Sequence, residues 1–148
     1  MAGVQSSVPV VPRAASASAS EQRRVGIVAG ACAFRPPARL RQAAEFAAVM
    51  ASPLRSRSKH FEIRYLHNQH SFARLGLVVP KRLARHAVLR NLLKRLARES
   101  FRGVQRRLPA VDVVVRLAKV LVPSDRANRE FRRIWRYELD QLLLGLAK

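Results

Sequence analysis

Arg90, Lys94, Arg98, Arg102 and Arg106 recur every fourth residue in the stretch that opens "AVLRNLLKR" at Ala87. On a helix, residues four apart lie one above another, so this spacing stacks five cations on one face. Asn91 and Arg95 fall beside them, and the whole set spans an arc of about 160° at about 100° per residue. Leu89, Leu92, Leu93, Leu96, Ala97, Phe101 and Val104 fill the opposite arc. A basic helix face is often simply solvated. Surface faces, however, normally mix signs, and each i,i+4 like-charge pair destabilises a helix by roughly a few tenths of a kcal/mol. Successive members of this series repel one another, and Glu99 is the one acid among them. A bound polyanion would relieve that repulsion.

The lead-in "VVPKRLARHAVLRN" adds Lys81, Arg82 and Arg85 just before the helix. Amides of a helix's first turn also favour anions. Lys81, Arg82, Arg85, Arg90, Asn91, Lys94, Arg95, Arg98 and Arg102 therefore form the candidate phosphate-binding surface.

The totals agree. Across 148 residues, 29 Lys and Arg face 9 Asp and Glu, for a formal charge of +20. Such a domain repels itself unless a polyanion neutralises it. Arg predominates over Lys, and its planar fork suits phosphates and stacks on bases, which favours nucleic acid over an anionic membrane. One cysteine, Cys32, leaves no intrachain disulfide and points to the cytoplasm. His60, His67, His70 and His86 lack cysteine partners at metal-ligand spacing. Asp112, Asp125 and Asp140 are dispersed, and no Ser-His-Asp or Cys-His arrangement stands out. A two-metal protein nuclease needs clustered carboxylates, so no catalytic residue, metal site or tightly held cofactor is expected of the chain itself. No apolar run approaches the roughly 20 residues that span a bilayer. "RRVGIVAGACA" imitates a secretory or lipoprotein signal, but the run is short and Gly/Ala-rich, with Ala29 where a large aliphatic residue is usual.

These residues need elements to hold them. Residues 1–33, with "AASASAS", are low-complexity and are expected to be a disordered extension; residues 34–148 are the domain. "ARLRQAAEFAAVMAS" places Leu40, Phe46 and Met50 at helical spacing and stops at "SP". "KHFEIRYLH" alternates, with Phe61, Ile63 and Tyr65 on one face and Glu62 and Arg64 on the other. "FARLGLVVP" reads as a second, more buried strand closed by Pro80, and "VDVVVRL" as a third. The basic helix spans about 87–107. A terminal amphipathic helix opens with Pro123, Ser124 and Asp125 and turns Phe131, Ile134, Trp135, Leu139, Leu142 and Leu146 to one side.

The ordered set Arg74, Gly76, Val79, Lys81, Arg82, then Ala87, Val88, Arg90, Asn91, Lys94, Arg95, Arg98, Glu99, Phe101 and Arg102 resembles the protein component of bacterial ribonuclease P. Leu40, Phe46 and Val49 fit that family's first helix, and the resemblance covers about residues 34–145. Leu92 departs from it, standing where the family usually has a second Arg. Pro80 and Met50 stand where a small residue and an aromatic are usual.

The resemblance implies an α+β fold, an α-β sandwich with a mixed sheet covered by helices. The order is roughly α-β-β-(β)-α-β-α, with the basic helix in a left-handed βαβ crossover, against the usual hand. It implies an endoribonuclease subunit that binds a catalytic RNA through the basic loop and helix, and the 5′ leader of precursor tRNA in a cleft. The RNA does the cleavage with Mg²⁺, in a one-protein one-RNA cytoplasmic complex without a membrane. Phe46, Met50, Phe61 and Tyr65 are the candidates for the cleft, where aromatics would stack unpaired bases; Phe46 and Phe61 fit a core role equally well. The rival readings are a ribosomal or other structured-RNA-binding protein, a DNA-binding regulator and a membrane-surface helix. A strand precedes the basic helix, not the short helix a helix-turn-helix regulator requires. Its apolar face is needed to cover the strands rather than lie in a bilayer.

Overall fold

Strand periodicity and helix caps account for most of the architecture. The structure, a computed structural model, describes residues 36–122 and 128–148. The expected disordered extension, residues 1–33, and the expected opening Pro123, Ser124 and Asp125 of the last helix lie outside them. The elements are α1 (Ala43–Ala51), β1 (Arg55–Arg57), β2 (Phe61–His67), β3 (Arg74–Val78), α2 (Ala87–Val104), β4 (Val111–Leu117) and α3 (Arg129–Leu144).

The sheet runs β1-β2-β4-β3. β1 and β2 are antiparallel, as are β2 and β4, while β3 and β4 are parallel. A parallel pair needs a crossover, and α2 supplies it. β4 is central, with five consecutive buried residues from Val111 to Val115. β3, expected to be the more buried, is an edge strand. Its apolar run reflects cover on both faces: Leu75 enters the main core, and Gly76 lies beneath the Phe46 ring.

Register assigns the faces. Phe61, Ile63 and Tyr65 pair with Leu117, Val115 and Val113, and Leu75 and Leu77 pair with Val113 and Val115. This face meets α2 and α3 through Leu89, Leu93, Phe101, Trp135, Leu139 and Leu143. The other face carries Val114 and meets α1 through Val49, with Leu40 from the segment before the helix and Phe46, Met50 and Val78 alongside. The sheet thus lies between α1 on one side and α2 with α3 on the other, an α+β sandwich.

The helix ends differ from the sequence expectation for local reasons. α1 starts at Ala43, not near Ala38, because Glu45 accepts from the Arg41 and Gln42 amides at 3.1 and 3.2 Å and closes a capping box. Leu40 is therefore not helical. Arg39 and Leu40 run beside the β3 edge, where the Leu40 amide donates to the Leu75 carbonyl at 3.0 Å. α3 is capped by Asn128, whose side chain accepts from the Glu130 amide at 2.9 Å. Trp135 and Leu139 are buried as expected, but Ile134 is 38 % exposed and Leu143 takes its place inside.

Candidate nucleic-acid interface

Docking of α2 onto the sheet sorts its residues. Leu89, Leu93, Leu96, Ala97, Phe101 and Val104 are buried. Asn91, Arg95 and Arg102 are exposed, and Arg90, Lys94 and Arg98 are half-buried. Lys81, Arg82 and Arg85 are exposed in the loop ahead of the helix. The structure thus gathers all nine predicted phosphate-binding residues on and before one helix.

They are not equivalent. Arg90 donates through Nη1 to the carbonyls of Ala84 at 2.9 Å and Arg85 at 2.7 Å, so it fastens the basic loop to the start of the helix. That bond holds a cation at a helix N-terminus, where it opposes the macrodipole. His86, the N-cap, makes no side-chain cap bond. Arg95 pairs with Glu99 at 3.2 Å on the surface, a contact of little energetic weight. Lys94 and Arg98 reach the β3 edge beside Arg39 and Leu40. With Arg39, Leu40, Phe46, Leu75 and Leu77 they line a groove of about 170 Å³.

The predicted cleft of Phe46, Met50, Phe61 and Tyr65 does not assemble. Phe61 is 2 % exposed and Tyr65 half-buried, and both pack on the α2–α3 side of the sheet. Phe46 and Met50 are half-buried on the opposite side, under α1. Alternation revealed which strand residues share a face but not which face α1 covers. The structure joins Phe46 instead to Lys94 and Arg98.

Sequence reasoning also missed Arg39, Arg55, Arg57 and Arg116. Arg55 and Arg57 lie on β1 opposite Arg64 and Glu62, and Arg116 pairs with Glu62 on β4. Arg55, Arg57 and Arg116 therefore stand on the α1 side of the sheet. "RSR" carries no apolar alternation, so its only signal was two arginines two residues apart. Arg64, on the same face, is engaged internally: it donates to Glu62 at 3.0 Å and to the Met50 carbonyl at 2.6 Å, closing the C-terminal end of α1.

Two of the carboxylates, Asp112 and Glu45, hold α1 to the sheet. Arg74 grips Asp112 with Nε at 2.8 Å and Nη2 at 2.6 Å, and donates Nη1 to Glu45 at 2.7 Å. Asn68 adds a bond to Asp112 at 2.6 Å. This hub ties α1 to β3 and β4. The Asp112 hydrogen bond, joined by that of Glu45, raises the Arg74 pKa despite burial. The Arg74 hydrogen bond, then the Arg41 and Gln42 amides, hold the Glu45 carboxyl below its usual range.

A second constellation brings Ser58, His60 and Glu138 together. Ser58 Oγ lies 2.6 Å from Glu138 Oε2, and His60 Nδ1 lies 2.7 Å from Oε1. A nucleophilic triad would bond the hydroxyl to the imidazole; here both side chains bond the carboxylate, which fastens α3 to the β1–β2 turn. Among the described residues, no group of three or more His, Cys, Asp or Glu is placed to hold a metal ion. No helix among them is long and apolar enough to cross a membrane.

Comparison with known proteins bears on this surface. Curated relatives include the ribonuclease P protein components of Azoarcus sp., 44 % identical over 60 % of this chain and 74 % of that one, and of Ralstonia pickettii, 41 % identical over 76 % and 81 %. Among solved structures, the ribonuclease P protein of Thermotoga maritima superposes with a TM-score of 0.59 at 30 % identity, covering 71 % of this chain and 94 % of that one. Residues 34–139 match the sequence profile of the family described as Ribonuclease P, and the chain belongs to that family.

Proposed function

We propose that the chain is the protein subunit of a ribonuclease P. On this reading the basic loop and α2 bind the catalytic RNA. The 5′ leader of precursor tRNA passes along the β3-edge groove and the arginine-bearing face beside α1. The observation that carries the reading is the groove in which Phe46 and Leu40 meet Lys94 and Arg98. An aromatic ring flanked by cations takes an unpaired base on the ring and its phosphates on the charges. A leader here would lie next to the RNA held by α2, so one side of the protein would serve both strands.

The chain's part is to bind and position. The catalytic RNA makes the cut, and Mg²⁺ held by that RNA would supply the Lewis-acid chemistry. The complex is one protein with one RNA, in the cytoplasm. Two forces act on the protein side: counterion release gives affinity, and one stacked base gives preference for the precursor.

The test is cleavage of precursor tRNA at low Mg²⁺ by the catalytic RNA, with and without the protein. Stimulation at the mature 5′ end is expected; its absence would leave a structured-RNA-binding protein without a role in tRNA processing. Phe46→Ala should weaken precursor binding to the reconstituted enzyme by about 1–3 kcal/mol, the range for one stacked base. Mature tRNA, which has no leader, should bind as before. An equal loss for both would remove Phe46 from the leader path.

A further inference from the structure

α3 carries a second cluster of cations that the α2 surface does not include. Arg129, Arg132, Arg133 and Arg136 are all exposed and fall within an arc of about 100° on the outer side of the helix. Each stands three or four residues from two of the others, so the four form a closed ring of repelling neighbours. Among the described residues, no carboxylate pairs with Arg129, Arg132 or Arg133, while Arg136 reaches Glu99 at 3.6 Å and Asp140 at 3.9 Å. Tyr137 follows on the same side with 65 % of its surface exposed. Of the neighbouring acids, Glu138 is turned away to Ser58 and His60, and Glu130 stands exposed in the first turn without pairing to these arginines among the described residues. The inner side of α3 is meanwhile committed to the core through Trp135, Leu139, Leu142 and Leu143.

The cluster joins α2. Glu99, Arg102 and Gly103 of α2 and Arg136 of α3 line an open trough of about 420 Å³. Gly103 leaves its wall low, since a Cβ there would meet nothing within 4 Å. The basic surface of α2 therefore continues across the trough onto α3 without an apolar break. Glu99 sits at the seam, held by Arg95 on one side and Arg136 on the other.

We infer that the outer face of α3 is a second docking strip for the phosphate backbone of the same catalytic RNA, with Arg129, Arg132 and Arg133 as its contacts. This rests on the reading of α2 as the primary RNA surface. Charge complementarity selects the occupant. Four arginines on neighbouring turns suit a chain of phosphates, and Arg offers each phosphate a two-pronged contact. Continuity with α2 selects the catalytic RNA over the precursor, whose leader is proposed to run at the β3 edge instead.

The experiment uses the full chain and measures binding to the catalytic RNA across a range of salt concentrations. Replacing Arg129, Arg132 and Arg133 together with Gln should lower the log–log salt slope by roughly two, at about 0.7–0.9 per lost contact. Affinity at about 0.15 M salt should fall about fourfold to fivefold for each contact, relative to about 1 M. The same three positions changed to Lys should keep the slope, because phosphate binding follows charge whereas helix packing does not. Arg95→Gln on α2, exposed and outside the β3-edge groove, serves as the reference. If Arg95→Gln lowers the slope and the α3 triple does not, the α3 strip is refuted and the α2 reading stands. If neither changes it, both fall. A Lys triple that fails to restore the slope, or a loss confined to precursor tRNA binding by the preformed complex, also overturns the inference.

Discussion

Gly76→Ala tests how closely α1 is seated on the sheet. A Cβ at this position would meet Phe46 Cε1 at 2.6 Å and Cζ at 2.9 Å, and Leu40 Cδ1 at 3.0 Å. Carbon atoms prefer about 3.5–4.0 Å, so something must move by up to about 1 Å. Leu40 is 6 % exposed and held by its bond to Leu75, whereas Phe46 is half-buried and its ring can swing out. Overpacking of this kind costs about 1–3 kcal/mol. The swing limits the cost to the packing that Phe46 gives up, about half of the roughly 1.5–3 kcal/mol for burying such a side chain. Alanine in place of glycine returns about 0.5–1 kcal/mol of backbone entropy. The net loss should be about 0–1 kcal/mol, which at about 4–8 °C per kcal/mol lowers the melting temperature by no more than several degrees. The double-mutant cycle with Phe46→Ala decides the cause. With the ring already removed, Gly76→Ala should be neutral or stabilising, giving a coupling of about 1 kcal/mol or more. The single Gly76→Ala variant should also lose part of the preference for precursor over mature tRNA, because the displaced ring no longer faces the groove. Equal effects of Gly76→Ala in both backgrounds would refute the seating of Phe46 on Gly76, and with it this explanation for the glycine.

Two further predictions concern the ion pairs. Arg74→Met should cost about 3–5 kcal/mol in urea unfolding, because it leaves Asp112, itself 7 % exposed, without its guanidinium. A loss below about 1 kcal/mol would show that the hub does not hold α1 to the sheet. At Glu138, burial pushes the carboxyl up, but the Ser58 and His60 hydrogen bonds outweigh it, and the net pKa lies below the ordinary value. A depressed folded-state pKa gives stability that is present above the unfolded value, about 4.3, and is lost as the pH falls through the folded value. Stability should therefore decline on acidification below about pH 4.5, and Glu138→Gln should remove part of that decline; identical pH profiles for the two proteins would refute the assignment.

The basic helix was legible because two demands on it coincide: its apolar arc must dock and its cations must stay out, so one wheel separates them. The flanking elements were legible only as far as a local pattern reached. β1 had no such pattern, since all three of its residues are exposed polar ones at a sheet edge. The cleft was misjudged because alternation is local, whereas the choice of face belongs to the whole sheet. Among the described residues three helices cover two faces, and the pair α2 and α3 takes the side bearing Phe61, which leaves α1 the side bearing Val114.

The motif residues divide by what their side chains touch. Arg74 and Gly76 build the seat of α1, the first through Asp112 and Glu45 and the second by leaving room for Phe46. Arg90 shapes the loop ahead of α2, and Arg64, outside the motif, closes α1. Each of these arginines keeps a positive charge near the surface while satisfying backbone or carboxylate oxygens. A formal charge of +20 therefore overstates the cations held solely for a ligand, and spacing alone cannot separate the two uses. The internal hydrogen bonds do separate them: Lys94 and Arg98 stand at the groove beside Phe46, and that ring keeps its place because position 76 has no side chain.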